Sequence, residues 1–217
     1  MIQIYLQVEK MHLILILKKN YIKKKSNLSN FLACARISAI IIDNYLFVHA
    51  GVLEKLIKYT AKYSGQDKMK SINVINKSIK QWLLNTDSIE DKDYISKLLS
   101  GKTLSPFWPR IFGNLPSGLD RTNKLCKHHV EPVLTFLNLK GLVVGHTPQL
   151  KTGINSTCSD KVWRVDVASS QAFDKLIKDD IKEQNEEKIK SARTPQVLEI
   201  ILGNDNISDI FNIIKME

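Results

Sequence analysis

Four classes of protein are excluded by residue types that are scarce in this 217-residue sequence. Its three cysteines, Cys34, Cys126 and Cys158, are odd in number and far apart, without a C-x-x-C pair. We therefore expect neither a disulfide framework nor a zinc ribbon. The 9 glycines and 6 prolines exclude collagen-like and proline-rich proteins.

Long apolar runs are also missing. Residues 11–17 are too short for a membrane span and have charged residues on both sides, and no small-residue cleavage site follows them. We expect an intracellular, cytoplasmic protein with reduced cysteines, without a signal peptide, a transmembrane segment or a membrane partner.

Arginine is scarce although the chain is basic. Only five of the 32 Lys and Arg residues are Arg, against 22 Asp and Glu, and the net charge is +10. Proteins that bind nucleic acid commonly use the arginine fork on bases and phosphates. The excess of positive charge is mostly lysine, so we attribute it to the general composition of the chain. A nucleic-acid partner is the weaker alternative.

Hydrophobic patterning predicts an α/β fold. Residues 39–42 and 45–48 are apolar runs separated by Asp43 and Asn44, which predicts a tight hairpin. Three- and four-residue spacing predicts helices within 53–100 and over 123–137, and a charged helix over 172–190. Further strands are predicted at 142–144, 162–167 and 195–202, and a helical or frayed end at 206–214. We divide the chain into a basic segment, 1–30, a domain, 31–203, and a tail, 204–217.

Two histidines follow predicted buried strands, His49 in LFVHAG and His146 in LVVGHTP. Ligands of α/β folds gather at the carboxyl ends of strands, and neutral imidazole is a common metal ligand. Each histidine alone could be an ordinary loop residue, but their matching contexts favour a shared site. Arg110, in PFWPR, could grip a phosphate with its fork, stack on Trp108 or pair with a surface acid.

Four segments in order resemble the calcineurin-like metallophosphoesterases, in the serine/threonine-phosphatase-like branch with the GHTP variant of bacterial-type and large-DNA-virus members. They are LFVHAGV (46–52), PFWPR (106–110), LVVGHTPQ (142–149) and WRVDVASS (163–170). The resemblance covers about residues 31–203. It implies an α/β fold corresponding to the C-terminal portion of that family's β-sandwich flanked by helices.

The same resemblance implies a site and a reaction. His49 and His146 match ligands of one metal, and Arg110 matches the arginine that holds phosphate oxygens. Asp166 and Ser169 match the late strand and turn without an assigned role. The family binds two divalent metals, often Mn, Fe or Zn, whose bridging hydroxide hydrolyses a phosphomonoester. The implied substrate is a phosphoprotein, on Ser or Thr.

The 217 residues depart from the family in one large respect. They contain no D-x-H, G-D-x-x-D-R-G or G-N-H-E motif, which in the family supply the first metal's ligands, the bridging carboxylate and the general-acid histidine. The chain thus resembles the family's C-terminal half, with the N-terminal half missing. We expect partial metal binding at most, no turnover by the chain alone, and a separately encoded N-terminal half as a candidate partner. A non-catalytic remnant or phosphate-binding module is the alternative.

Overall fold

The computed structural model describes residues 26–65, 70–86, 92–100, 104–173, 186–204 and 207–216. The N-terminal residues 1–25, most of the predicted helix at 172–190 and part of the predicted tail lie outside these ranges.

A hairpin begins the central sheet. Strands β1 (Ala39–Ile42) and β2 (Tyr45–Val48) pair antiparallel. Asp43 and Asn44 connect them with φ of 47° and 67°, the left-handed backbone that a two-residue hairpin turn requires. The predicted hairpin is confirmed with its bounds.

The sheet is mixed and has the strand order β1-β2-β3-β5-β4. Strand β3 (Gly141–Val144) lies parallel to β2 and to β5 (Val162–Arg164), and β4 (Asn155–Thr157) pairs antiparallel with β5. Every residue of β2 and β3 is buried, as expected for parallel strands covered on both faces. Because β2, β3 and β5 run in parallel, the residues that follow them meet at one edge of the sheet.

Helices cover one face of this sheet. Their bounds are α1 (Asn27–Ala35), α2 (Glu54–Ala61), α3 (Lys70–Leu84), α4 (Lys92–Leu99), α5 (Lys124–His129) and α6 (Glu131–Leu137). Helix α3 buries a stripe at three- and four-residue spacing, namely Ile72, Ile75, Ile79 and Leu83. The stripe joins the same core as Leu46 of β2 and Leu142 of β3. Within the described ranges, no helix is both long and apolar enough to cross a membrane.

The helix predicted over 123–137 is divided in two. Helix α5 ends before Val130, and Pro132 lies in the first turn of α6. Proline has no amide hydrogen to donate to the preceding turn, so the ladder is interrupted there while the apolar pattern continues across the break.

A second, two-stranded sheet packs on the other face. After a 3-10 turn (Gln171–Phe173) and helix α7 (Glu186–Arg193), β6 (Gln196–Ile201) pairs antiparallel with β7 (Ile210–Lys215). Trp163 of β5 stacks on Phe211 of β7 with ring centroids 4.8 Å apart. The α/β prediction is confirmed, as is the strand near 195–202. The helical or frayed end predicted over 206–214 is wrong, since β7 pairs with β6 along its whole length.

The cysteine prediction is also wrong. Cys126 of α5 and Cys158, in the turn after β4, form a disulfide with a Cα–Cα distance of 5.6 Å, and both are fully buried. The third cysteine, Cys34, is exposed and has a free thiol. The sequence does not reveal this bond because the two cysteines are 32 positions apart. Only the packing of α5 against the β4–β5 turn brings them together.

Candidate functional site

The two predicted histidines are brought together where β2 and β3 end. His49 Nε2 lies 3.1 Å from His146 Nδ1, and the two ring centroids are 4.9 Å apart. The backbone holds the two strand ends at the same level, because Gly145 N donates to the carbonyl oxygen of His49 at 2.8 Å. The parallel pairing of β2 with β3 thus accounts for the meeting of residues 97 positions apart.

The backbone that presents the rings is unusual. His146 has a φ of 67°, in the left-handed region that residues other than glycine rarely adopt, and Ala168 beyond β5 has a φ of 51°. A Cβ at Gly145 would lie 3.3 Å from the His49 carbonyl oxygen, so glycine allows the close approach of the strand ends. Such conformations are concentrated at binding and catalytic sites, where surrounding contacts hold them in place.

Both imidazoles are held neutral. Burial, together with the neighbouring His146 and Arg110, lowers the pKa of His49 to about 4. Burial and Arg110 likewise lower the pKa of His146 to about 4, against a hydrogen bond to the Trp108 backbone. At pH 7 each ring therefore keeps an unprotonated nitrogen. His146 Nε2, the ring nitrogen that does not face His49, is buried without a hydrogen-bond partner among the described residues.

The histidine pair offers two nitrogen ligands for one metal ion at most. Tetrahedral metal–nitrogen bonds of about 2.1 Å place two ligand nitrogens about 3.4 Å apart, whereas His49 Nε2 and His146 Nδ1 lie 3.1 Å apart, at hydrogen-bond distance. A dinuclear centre does not fit, since the described residues contain no group of three or more His, Cys, Asp or Glu side chains able to hold a metal. The two histidines alone therefore form an incomplete metal site.

Arg110 lies beside this pair. Its Nη1 donates to the carbonyl oxygen of His146 at 3.2 Å, and the Trp108 ring centroid is 5.6 Å from that of His146. Arg110 is exposed, so the rest of its fork faces solvent next to the histidines. A positive group at this position suits an anion that is bound next to the two histidine rings.

The loop that carries Arg110 is tied to both histidine strands. The amides of Ala50 and Gly51 donate to the carbonyl oxygen of Pro106 at 3.1 and 3.4 Å. Gln149 Nε2 donates to the carbonyl of Gly113 at 3.0 Å. Side chains added at Gly51 or Gly113 would overlap Phe112 or Thr147, respectively. These contacts fix the loop against the ends of β2 and β3.

The turn after β5 and the end of α5 carry further polar side chains. Asp166 Oδ1 accepts a hydrogen bond from Ala168 N at 3.0 Å and so supports the turn after β5. His128 and His129 contact each other at the end of α5, with centroids 4.6 Å apart. Sequence reasoning overlooked Arg164, which is 2% exposed. An arginine within an apolar, alternating strand was the available signal, in a chain with only five arginines.

Comparison with known proteins gives a viral sequence relative. The "Uncharacterized protein R398" of Acanthamoeba polyphaga mimivirus is 35% identical over 165 residues, which cover 72% of this chain and 65% of that protein. The chain thus spans less than two thirds of this viral relative's length. No protein-family model matches the chain.

Solved structures give more distant likenesses. A cold-active protein-tyrosine phosphatase of a psychrophile, Shewanella sp., is 18% identical with a TM-score of 0.43, over 76% of this chain and 38% of that one. Another structure of a cold-active protein tyrosine phosphatase is 17% identical with a TM-score of 0.46, over 76% and 37%. The chain spans well under half of these phosphatases, and scores of this size support no argument about activity.

Proposed function

We propose that this chain is a metallophosphoesterase-like protein of the calcineurin-like type, related to enzymes that hydrolyse Ser and Thr phosphomonoesters. In this proposal His49 and His146 hold one divalent metal ion, and Arg110 holds a phosphate group beside it. The observation that carries the proposal is the 3.1 Å approach of two neutral histidine nitrogens with Arg110 bonded to the His146 backbone.

The chain's own groups perform binding and orientation. The Arg110 fork presents hydrogen-bond donors to phosphate oxygens. The packed loop at 106–113 keeps that fork at the histidines, and Trp108 covers the His146 ring. A bound divalent metal would supply Lewis-acid polarisation of a phosphate oxygen.

We infer that these groups alone do not complete hydrolysis. A two-metal mechanism needs a bridging carboxylate, because two cations about 4 Å apart repel strongly without one. It also needs a group to protonate the leaving oxygen. The three family motifs that carry these groups are absent from the 217 residues. A separately encoded half bearing them would be the partner that restores turnover.

Turnover assays test this proposal directly. The purified chain is assayed with Mn²⁺, Fe²⁺ or Zn²⁺ on p-nitrophenyl phosphate and on phosphoserine, phosphothreonine and phosphotyrosine peptides. We expect rates no higher than those of a His146→Ala variant. Robust metal-dependent turnover that His146→Ala abolishes would overturn the claim that the chain is inactive alone, while supporting the metal site.

A phosphate-binding module without catalysis is the second candidate, favoured by the placement of Arg110 at an incomplete metal site. Binding of a phosphopeptide that survives unhydrolysed, and that Arg110→Met weakens, would support it. A dissociation constant that Arg110→Met leaves unchanged would count against the pocket. The exposed Arg121, which pairs with Glu131 at 2.6 Å, offers the matched control in Arg121→Met.

A further inference from the structure

Arg164 is a buried arginine whose described partners are all uncharged. The residue is 2% exposed, and burial lowers the pKa of its guanidinium. A buried cation is strongly unfavourable unless its hydrogen-bonding groups are satisfied. Because Arg164 Nε has no hydrogen-bond partner among the described residues, its two terminal nitrogens have to provide that compensation. The arrangement of acceptors around this group therefore has to be maintained by the fold.

These acceptors belong to the loop that carries Arg110 and to β4. Arg164 Nη1 donates to the carbonyl oxygens of Gly113 and Leu115. Its Nη2 donates to Ser117 Oγ at 2.9 Å and to Asn155 Oδ1. Three of the four acceptors thus lie within residues 113–117, and one planar group holds them together.

The same residues are connected to Arg110. Asn114, which lies between the two bonded carbonyl groups, donates its amide hydrogen to the Arg110 carbonyl oxygen at 2.9 Å. Arg110 in turn donates to the His146 carbonyl oxygen. A chain of hydrogen bonds and short backbone links therefore runs from β5 to the histidine pair.

We propose that Arg164 is the positioning residue of the candidate phosphate site: its guanidinium holds the 113–117 backbone so that Arg110 stays beside His146. This inference rests on the proposed function. Lysine cannot replace it, because a single ammonium group lacks the planar fork that spans four separate acceptors.

Two measurements on the metal-free chain test the inference. Titration with inorganic phosphate gives the affinity, and amide hydrogen exchange reports the order of residues 110–118. Arg164→Lys should weaken phosphate binding about tenfold or more, equivalent to losing one well-placed hydrogen bond to a charged group. It should also speed exchange within 110–118 while leaving β2 and β3 protected. Arg121→Met should change neither readout.

The outcomes separate the inference from the function it rests on. If the wild-type chain binds no phosphate, the proposed function fails, and amide hydrogen exchange alone then tests the role of Arg164. Faster exchange confined to residues 110–118 in Arg164→Lys supports a positioning role, and unchanged exchange overturns it. Unchanged affinity and unchanged exchange in Arg164→Lys overturn the inference. If that variant does not fold, Ser117→Ala removes one exposed acceptor, and normal values of both readouts there overturn the inference as well.

Discussion

Acidification should destabilise this protein through the paired histidines. Each ring has a native-state pKa of about 4, against the ordinary value of 6.5. Between these values the unfolded state binds more protons than the native state, so stability rises with pH. The contribution is fully present above pH 6.5 and is lost as the pH falls toward 4.

The size of the effect follows from the two pKa values. At pH 5 an unfolded histidine is almost fully protonated and each native ring is mostly neutral. Linkage then gives a loss of about 2 kcal/mol per histidine relative to pH 7.5, and about 4 kcal/mol for His49 and His146 together. This is an upper limit, since both rings are only partly buried.

Urea unfolding of the chain with a metal chelator, at pH 7.5 and pH 5.0, measures this loss. The matched control is the double variant His49→Asn, His146→Asn, which keeps every other titrating group. We expect its pH-dependent loss to be smaller than that of the wild-type chain by up to about 4 kcal/mol. Equal losses in the two proteins would refute the conclusion that the fold holds the histidines neutral.

Three further changes have defined outcomes. Asn76→Ala removes three hydrogen bonds to the edge of β1, made with Ser38 and Ala39 at 2.7–3.0 Å. It should lower the free energy of unfolding, measured in urea, by about 2–3 kcal/mol. An unchanged free energy would mean that Asn76 does not support that edge. Thiol titration of the denatured, unreduced chain should find one thiol, and three thiols would contradict the Cys126–Cys158 bond. Gly113→Ala pushes against Thr147 and should destabilise by about 1–3 kcal/mol in thermal unfolding; wild-type stability would show that the loop does not press on Thr147.

The sequence predicts the elements that local chemistry determines. The hairpin of β1 and β2 was predictable because two short apolar runs flank Asp43-Asn44, and both residues tolerate positive φ. The stripe of α3 and the buried run of β3 were predictable for the same reason, since periodicity reports the buried face. His49 and His146 could be paired because parallel strands align their carboxyl ends.

Features that depend on distant packing could not be read from local pattern. Strand β7 resembles a helix end in isolation, and its pairing with β6 decides its conformation. The disulfide depends on the approach of α5 to the β4–β5 turn. Arg164 looks like an outward-facing strand residue until the loop at 113–117 is seen to fold over it.

Metal titration of the purified chain tests the central claim most directly. Isothermal titration with Zn²⁺ or Mn²⁺ at pH 7.5 should give about one bound ion per wild-type chain, and His49→Ala and His146→Ala should each remove that binding. The absence of binding by the wild-type chain, or binding that both variants retain, would contradict the assignment of His49 and His146 as the ligands of a metal ion.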